Sequence, residues 1–391
     1  MTKRNMDVLP SLTRQYVLGG RRIANRFVAQ AMEMNCADPG GAISEQNIER
    51  YRKLARGRWG MVFVEAIAVA EEGVARPRGL LINHRNLDGL KKLVDAFKST
   101  ADSLLLFQIT HAGRETADPS RRVTVYDDAT GIRHLDRDEL ERIRDQFVEA
   151  IALCREAGAD GVDIKSCHGY LLCETLRPLN RRSDSFGGAL ENRARLLTSI
   201  LAAARERFPE LIAGTRLSLY EGIRGGCGTA SPEEVLEDLH DILAAIDLIV
   251  SAGARFLNIS AGVPTQTPHL TRPERPSRIN MLHHFRYAKI VKDHHPDVAV
   301  IGSSYSTGGE ESPFWAAENI EKGYTDFAGF GRQSLADPHF PMKLMNNRSV
   351  NYCTTCGGCS RLLRNQKEVH CVTYERPAKD DDKEKYEEHT S

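Results

Sequence analysis

The sequence carries no excess of charge: Lys and Arg together number 53, and so do Asp and Glu. A chain so balanced offers no electrostatic footprint for nucleic acid or for an anionic membrane surface. It lacks any run near the ~18 apolar residues that a bilayer-spanning helix needs. Met1 to Gln15 has basic residues but neither an apolar core nor a small-residue cleavage site, so it does not read as a signal peptide. No Gly-x-Gly-x-x-Gly follows a strand-like run, which leaves a Rossmann site for a tightly held dinucleotide unsupported. No internal repeat is evident. A cytoplasmic enzyme-sized chain with an ordinary core is the expectation, its 391 residues fitting one barrel with an appendage.

What is present is an alternation. Apolar or β-branched runs at 26–32, 61–67, 103–110, 161–166, 214–219, 255–260, 298–303 and 326–331 are separated by stretches of helical period. The clearest helices are expected at 47–56, 86–98, 136–157, 192–207, 232–252 and 313–322, with a short one at 341–347. Asp136 is a candidate N-cap, and Ser231-Pro232-Glu233-Glu234 has the cap, first-turn proline and acidic residues of a helix start. Nearly continuous apolar strands point to parallel strands buried on both faces. Eight such units fit a closed (β/α)8 barrel, although a doubly wound open sheet accommodates the same pattern.

In a barrel, chemistry sits at the C-terminal ends of strands. Those ends are polar here: Gln108 and His111 after the third run, Lys165, His168 and Tyr170 after the fourth, Arg216 at the fifth. The last two strands commonly build a phosphate site from backbone N–H groups. Ser303 and Ser304, then Gly331 and Arg332, suit it, with small residues for close approach and one cation.

Cysteine is unevenly placed. Cys36, Cys154, Cys167, Cys173 and Cys227 are scattered and read as reduced packing thiols. Cys353, Cys356, Cys359 and Cys371 follow the spacing C-x2-C-x2-C-x11-C and read as a metal or iron–sulfur site. Zinc is the alternative, though structural zinc usually takes two separated pairs. The expected organisation is a barrel over 1–345, a cysteine segment over 346–377 and a disordered, highly charged tail over 378–391.

Several motifs then occur in a fixed order: Asn25-Arg26-Phe27-Val28, Gln108 with His111-Ala112-Gly113-Arg114, Asp163-Ile164-Lys165-Ser166-Cys167-His168-Gly169-Tyr170-Leu171, Asn180-Arg181-Arg182-Ser183-Asp184-Ser185-Phe186-Gly187-Gly188 with Glu191-Asn192-Arg193, and Gly331-Arg332-Gln333-Ser334-Leu335-Ala336-Asp337-Pro338. Together they resemble the old yellow enzyme family of flavin barrels. The cysteine spacing is similar to that of its iron–sulfur branch, the relatives of trimethylamine dehydrogenase and 2,4-dienoyl-CoA reductase, which hold a 4Fe–4S cluster just after the barrel. Those larger relatives carry nucleotide-binding domains beyond the cluster.

The resemblance implies flavin mononucleotide (FMN), with NAD(P)H as co-substrate. Gln30, Ala31, Met32 and Glu33 are expected along the isoalloxazine, with Ala66 at the second strand's end. Gln108 is expected on the pyrimidine edge, Arg216 near N1 and O2, and Ser303, Ser304, Gly331 and Arg332 at the phosphate. Lys165 and His168 are expected to polarise a substrate carbonyl, and Tyr170 to protonate the α-carbon. Cys353, Cys356, Cys359 and Cys371 are the expected cluster ligands.

Two positions depart from the family pattern. Ala31-Met32-Glu33 stands where the family usually has Pro, Met and Thr or Cys, and a carboxylate there either opposes negative charge on the flavin or turns away to a cation. Lys165 stands where a histidine is usual, and its own alternative is an ion pair with Asp163 or Glu33. The leading expectation is reduction of an α,β-unsaturated carbonyl compound. A second is an amine-type dehydrogenase that passes electrons through the cluster to a carrier protein, and a third is a flavin-free barrel with a zinc-binding interaction module. A small-molecule substrate, a separate electron-transfer or nucleotide-binding subunit and a homo-oligomer are the expected partners, with no nucleic acid and no membrane.

Overall fold

The computed structural model describes residues 3–128 and 130–375. The tail expected to be disordered, 378–391, lies outside the described residues. Eight parallel strands form the centre: β1 Phe27–Ala29, β2 Met61–Ala68, β3 Leu104–Thr110, β4 Gly161–Ile164, β5 Ile212–Ser218, β6 Phe256–Ser260, β7 Ala299–Gly302 and β8 Phe327–Phe330. Each pairs with its successor, and β8 returns to β1 through Ala328 opposite Phe27 while β1 pairs with β2 through Val28 opposite Met61. The ring is therefore closed, and the open-sheet alternative falls away.

Burial explains why these runs are apolar without alternation. Every residue of β2 and of β3 is buried, because one face fills the barrel and the other packs on helices. The interior is a small cluster of Val28, Met61, Phe63, Leu104, Leu106, Ile212, Phe256, Ala299, Ile301 and Phe327. Gly214 on β5 lets the Phe256 ring in, since a Cβ there meets ring carbon Cδ1 at 2.5 Å. An antiparallel ribbon, Tyr16–Leu18 with Arg21–Ile23, adds Leu18 and Ile23 to that cluster and closes the N-terminal end.

The outer ring comprises α1 Glu45–Arg56, α2 Leu87–Lys98, α3 Arg137–Glu156, α4 Leu190–Arg207, α5 His240–Ser251, α6 Arg278–His294 and α7 Ser312–Glu321. Two short helices, Arg332–Ala336 and Phe340–Met345, take the eighth place. Asp136 caps α3 in a capping box with Glu139, as its position predicts.

The start expected at Pro232 is not realised: α5 begins at His240. The intervening backbone bonds elsewhere, with the carbonyl of Glu234 accepting from Gly225 and the amide of Asp238 donating to Gly228. A helix at Lys3–Thr13 and the whole of α6 go unpredicted. The buried stripe of α6 includes Asn280 and His284, so its period is broken by polar residues.

After the barrel, the cysteine segment folds back over the mouth around a short helix, Gly358–Arg364. Leu363 and Val369 pack with Met34, Cys36 and Leu335, and Met32, Cys359 and Cys371 lie against that cluster. Among the described residues, no helix is long and apolar enough to cross a membrane.

Candidate active site

The C-terminal ends of the strands open into a cleft of ≈ 970 Å³, counting the space open to solvent. Gln30, Ala31, Met32 and Glu33 line it after β1, Gln108 from β3, Lys165 and His168 after β4, and Arg216 from β5. Ser303 and Ser304 follow β7, Gly331 and Arg332 follow β8, and Cys359, Leu363 and Val369 form a side wall. Two of the expected flavin and substrate residues, Ala66 and Tyr170, do not line it. Ala66 sits buried at a bulge in β2, between Val64 and Ile67.

At one edge, Gln108 donates its side-chain N–H to Asp163 at 2.7 Å, leaving its amide oxygen without a protein partner. The other carboxylate oxygen of Asp163 accepts the backbone N–H of Arg216 at 2.6 Å. Burial pushes the Asp163 carboxyl up to about 6 against the pull of these donors. Arg216 reaches over the cleft with a buried Nε that has no partner and an Nη2 only 3.5 Å from Ser260. An unsatisfied guanidinium beside a free amide acceptor fits the heterocyclic edge of a flavin, which offers both acceptors and an N–H.

At the other edge, the hydroxyl of Ser303 is buried and also unpartnered. Ser304 stands in the left-handed region at φ 71°, its hydroxyl donating to Asn280, so the chain turns sharply ahead of the Tyr305–Glu311 turn. Tyr305 packs its ring against Phe285 and Phe330 and bonds Asn319, outside the cleft. Arg332 donates to the carbonyl of Pro273 at 2.7 Å and borders both the cleft and the cysteine cavity.

Glu33 turns to cations. One oxygen lies 3.2 Å from Nζ of Lys165 and accepts the phenolic proton of Tyr170 at 2.5 Å, and the other lies 3.0 Å from Nε of Arg76. Burial alone raises its pKa, but Lys165, Arg76, Arg272 and the Tyr170 hydroxyl together hold it well below the usual carboxylate range. Burial and then the Glu33 charge push the Tyr170 phenol well up, so it keeps its proton. Nζ of Lys165 also stands 3.3 Å over the Tyr170 ring centroid. Lys165 is thus both ion-paired with Glu33 and in the cleft, while Tyr170 is buried one layer behind it. Burial lowers the Lys165 pKa, and Glu33 opposes that.

The curl that the 165–168–170 spacing demands is made by two consecutive left-handed residues, His168 at φ 63° and Gly169 at φ 76°. His168 sets Nε2 2.7 Å from the hydroxyl of Ser260, and its amide donates to Ser218. Burial and then Arg216 and Lys165 depress its pKa far enough to keep the ring neutral. His111 and Arg114 are structural: the former accepts from Gly113, and the latter pairs with Asp128 and Glu174. Cys36 and Cys167 are buried thiols pushed up to about 12 mainly by burial, which makes them inert.

Cys353, Cys356, Cys359 and Cys371 line one cavity of ≈ 310 Å³ with Arg332 and Leu335. Cys356 is exposed, and the other three are half-buried. Five site residues escape the sequence reading: Arg76, Asn258, Ser260, Arg272 and Asn280. Asn258 and Gln30 exchange two hydrogen bonds of 2.8 Å beneath the cleft, and Ser260 carries His168. Both lie on β6, where a polar residue inside an apolar run was the available signal. Arg76 and Arg272 lie on loops, and Asn280 on the unpredicted α6, where pattern is silent.

Residues 16–351 match the model of the NADH:flavin oxidoreductase / NADH oxidase family. The chain is 28% identical over 386 residues to an NADH oxidase of Thermoanaerobacter brockii, covering 92% of this chain but 55% of that protein. It is 28% identical over 373 residues to the NADH-dependent flavin oxidoreductase iliE of Hypocrea jecorina, covering 85% of this chain and 88% of that one. The solved 2-naphthoyl-CoA reductase with 2-naphthoyl-CoA superposes with a TM-score of 0.81 at 22% identity, over 92% of this chain and 56% of that one. The chain therefore spans about half the length of some proteins it resembles and most of others.

Proposed function

The chain belongs to the NADH:flavin oxidoreductase / NADH oxidase family, and from that premise we propose that its barrel mouth holds FMN and reduces an activated C=C bond, with NAD(P)H as the source of hydride. Bound there, a flavin supplies a two-electron carrier that takes hydride from a nicotinamide and gives it to an electron-poor carbon. The observation that carries the reading is the pair of unsatisfied groups lining the cleft, Nε of Arg216 and the hydroxyl of Ser303, two donors that a flavin ring edge and a phosphate would satisfy. Gln108 offers its amide oxygen beside Arg216. Ser304, Gly331 and Arg332 complete the phosphate end.

Lys165 and His168 face the open side and hold the carbonyl oxygen of an α,β-unsaturated compound. The Lys165 ammonium stabilises the negative charge that grows on that oxygen as hydride reaches the β-carbon. The Tyr170 phenol is the proposed proton donor to the α-carbon, a role that requires its hydroxyl to leave Glu33 and turn from behind Lys165 into the cleft. A phenol with a raised pKa still protonates so basic a carbon; burial and the Glu33 carboxylate oppose the phenolate left behind, and Arg76 and Arg272 partly offset them. Lys165, Arg76, Arg216 and Arg272 make the mouth cationic apart from Glu33, which disfavours the amine substrate of the dehydrogenase reading.

For Cys353, Cys356, Cys359 and Cys371 we propose a 4Fe–4S cluster, reached through Cys356 by an electron-transfer protein or a separate nucleotide-binding subunit. Their shared cavity supports this. Among the described residues, no three of these sulfurs lie within 4.8 Å of one another, whereas zinc draws its four sulfurs to ~3.8 Å separations. The absorption spectrum of anaerobically purified protein tests both parts. Flavin bands bleached by NAD(P)H, followed by recovery on adding an enone, are expected over a broad shoulder that dithionite diminishes. Protein with no bound flavin overturns the first proposal, and flavin bands without the shoulder overturn the second.

A further inference from the structure

Away from the cleft, the fold brings three metal-ligating side chains to one point. α6 ends at His294, and His295 leaves the helix with φ −128°. Both rings direct Nε2 at the same oxygen, Oδ1 of Asp247 on α5, at 2.9 and 2.8 Å. The rings stand at 89° to each other with centroids 4.8 Å apart, so the two nitrogens approach from different directions. We propose that Asp247, His294 and His295 bind a divalent transition-metal ion of the zinc class, clipping α5 to α6.

Ligand chemistry and spacing carry the inference. Two imidazoles and a carboxylate suit zinc, nickel, cobalt or iron(II), whereas magnesium and calcium prefer oxygen throughout. Bonds of 2.0–2.2 Å from a metal place neighbouring ligand atoms roughly 2.9–3.4 Å apart, depending on the angle. The observed 2.8 and 2.9 Å already approach that edge length, so a cation replaces two shared protons with little side-chain movement. Lys292, two residues before His294, does not compete for the carboxylate: it is held by Asp326 at 2.8 Å and by the carbonyls of Pro296 and Val298. The helix end contributes carbonyl dipoles that favour positive charge. Asp247 is 53% exposed, His294 35% and His295 21%, which leaves water to fill the remaining positions.

The place in the fold sets the role. The end of α6 leads into the start of β7, so the site lies on the barrel's N-terminal face, where residues serve stability and chemistry is absent. The ion therefore acts as a tertiary staple, and turnover is independent of it.

Tag-free holoenzyme dialysed against Zn2+ and then against metal-free buffer tests the proposal, with the double variant Asp247→Asn/His295→Gln treated in parallel. Elemental analysis is expected to find one zinc per chain more in the parent. Any metal held by the cysteine segment cancels in this difference. The unfolding midpoint of the parent is expected to rise with Zn2+ and that of the variant to stay fixed, while flavin content and NAD(P)H turnover remain equal. The single variant His294→Gln, at a side chain more than one-third exposed, should weaken zinc binding by more than the ~10–100-fold cost of losing an outer partner. Equal zinc content in parent and variants, or a midpoint that Zn2+ leaves unmoved, overturns the proposal.

Discussion

Replacing Glu33 with Gln probes the centre of the site most directly. The substitution keeps the side chain's length and an oxygen for the Tyr170 hydroxyl but removes the charge facing Lys165 and Arg76. Glu33 and Lys165 are 11% and 5% exposed, so solvent screens the pair little. At 3.2 Å and an effective dielectric of 20, their attraction is roughly 5 kcal/mol, which sets the ceiling on the loss. Burial already pushes the Lys165 pKa down, so without its counter-ion the amine sheds its proton at lower pH. A neutral amine stabilises the growing enolate charge less. Loss of one such electrostatic donor costs about 2.7–4 kcal/mol, or ~10²–10³ in rate. Anaerobic stopped-flow separates the two halves of turnover. Reduction by NAD(P)H should hold its rate, reoxidation by an enone should slow by that factor, and the alkaline limb of its pH profile should move to lower pH. Reoxidation at the parental rate with an unmoved limb would refute the idea that Glu33 keeps Lys165 charged.

Other expectations follow from single features. Arg216→Met should weaken flavin retention by at least tenfold while leaving the fold intact, measured as FMN per chain after gel filtration. Cys371→Ser should abolish the reduced-cluster EPR signal but keep the flavin bands. Gly214→Ala should lower stability by about 1–3 kcal/mol in chemical unfolding, because the new Cβ collides with Phe256. Glu65 predicts a pH signature. Burial raises its folded pKa to about 8, far above the unfolded value, even though the amide of Met34 and the side chain of Asn47 donate to it. The folded state therefore binds the extra proton, and stability should fall as pH rises from about 5 to 8 at up to ~1.4 kcal/mol per unit. Glu65→Gln should flatten that slope in pH-dependent urea unfolding, and an equally steep slope in the variant would refute the assignment.

The barrel was legible because burial on both faces writes itself into composition: β2 and β3 admit almost no polar residue until their C-terminal halves. Lys165 and His168 were legible because a polar residue ending an apolar strand has few reasons to be there. The pairing of Lys165 with Glu33 was one foreseen alternative, but the second partner of Glu33 was not foreseen. Arg76 lies 43 residues away on a loop, and only closure of the ring brings the two to 3.0 Å. α6 was missed for the opposite reason, since Asn280 and His284 face inward to serve neighbouring loops and interrupt its apolar period. Pro232 misled because Gly225 and Gly228 bond the backbone of Glu234 and Asp238, which a helix starting there would have used.

One thiol of the cysteine segment, Cys356, stands at the surface, and another, Cys359, borders the cleft. Two residues of chain, Gly357 and Gly358, thus separate the surface thiol from the one at the mouth. Electron tunnelling decays steeply with distance, so the proposed cluster would make this short span the lead from the surface to the cleft. An electron-transfer partner of the kind proposed would need only to touch the outer end of that span. The exposed Val372, which lines the same cavity as Cys356, is then a side chain such a partner would meet.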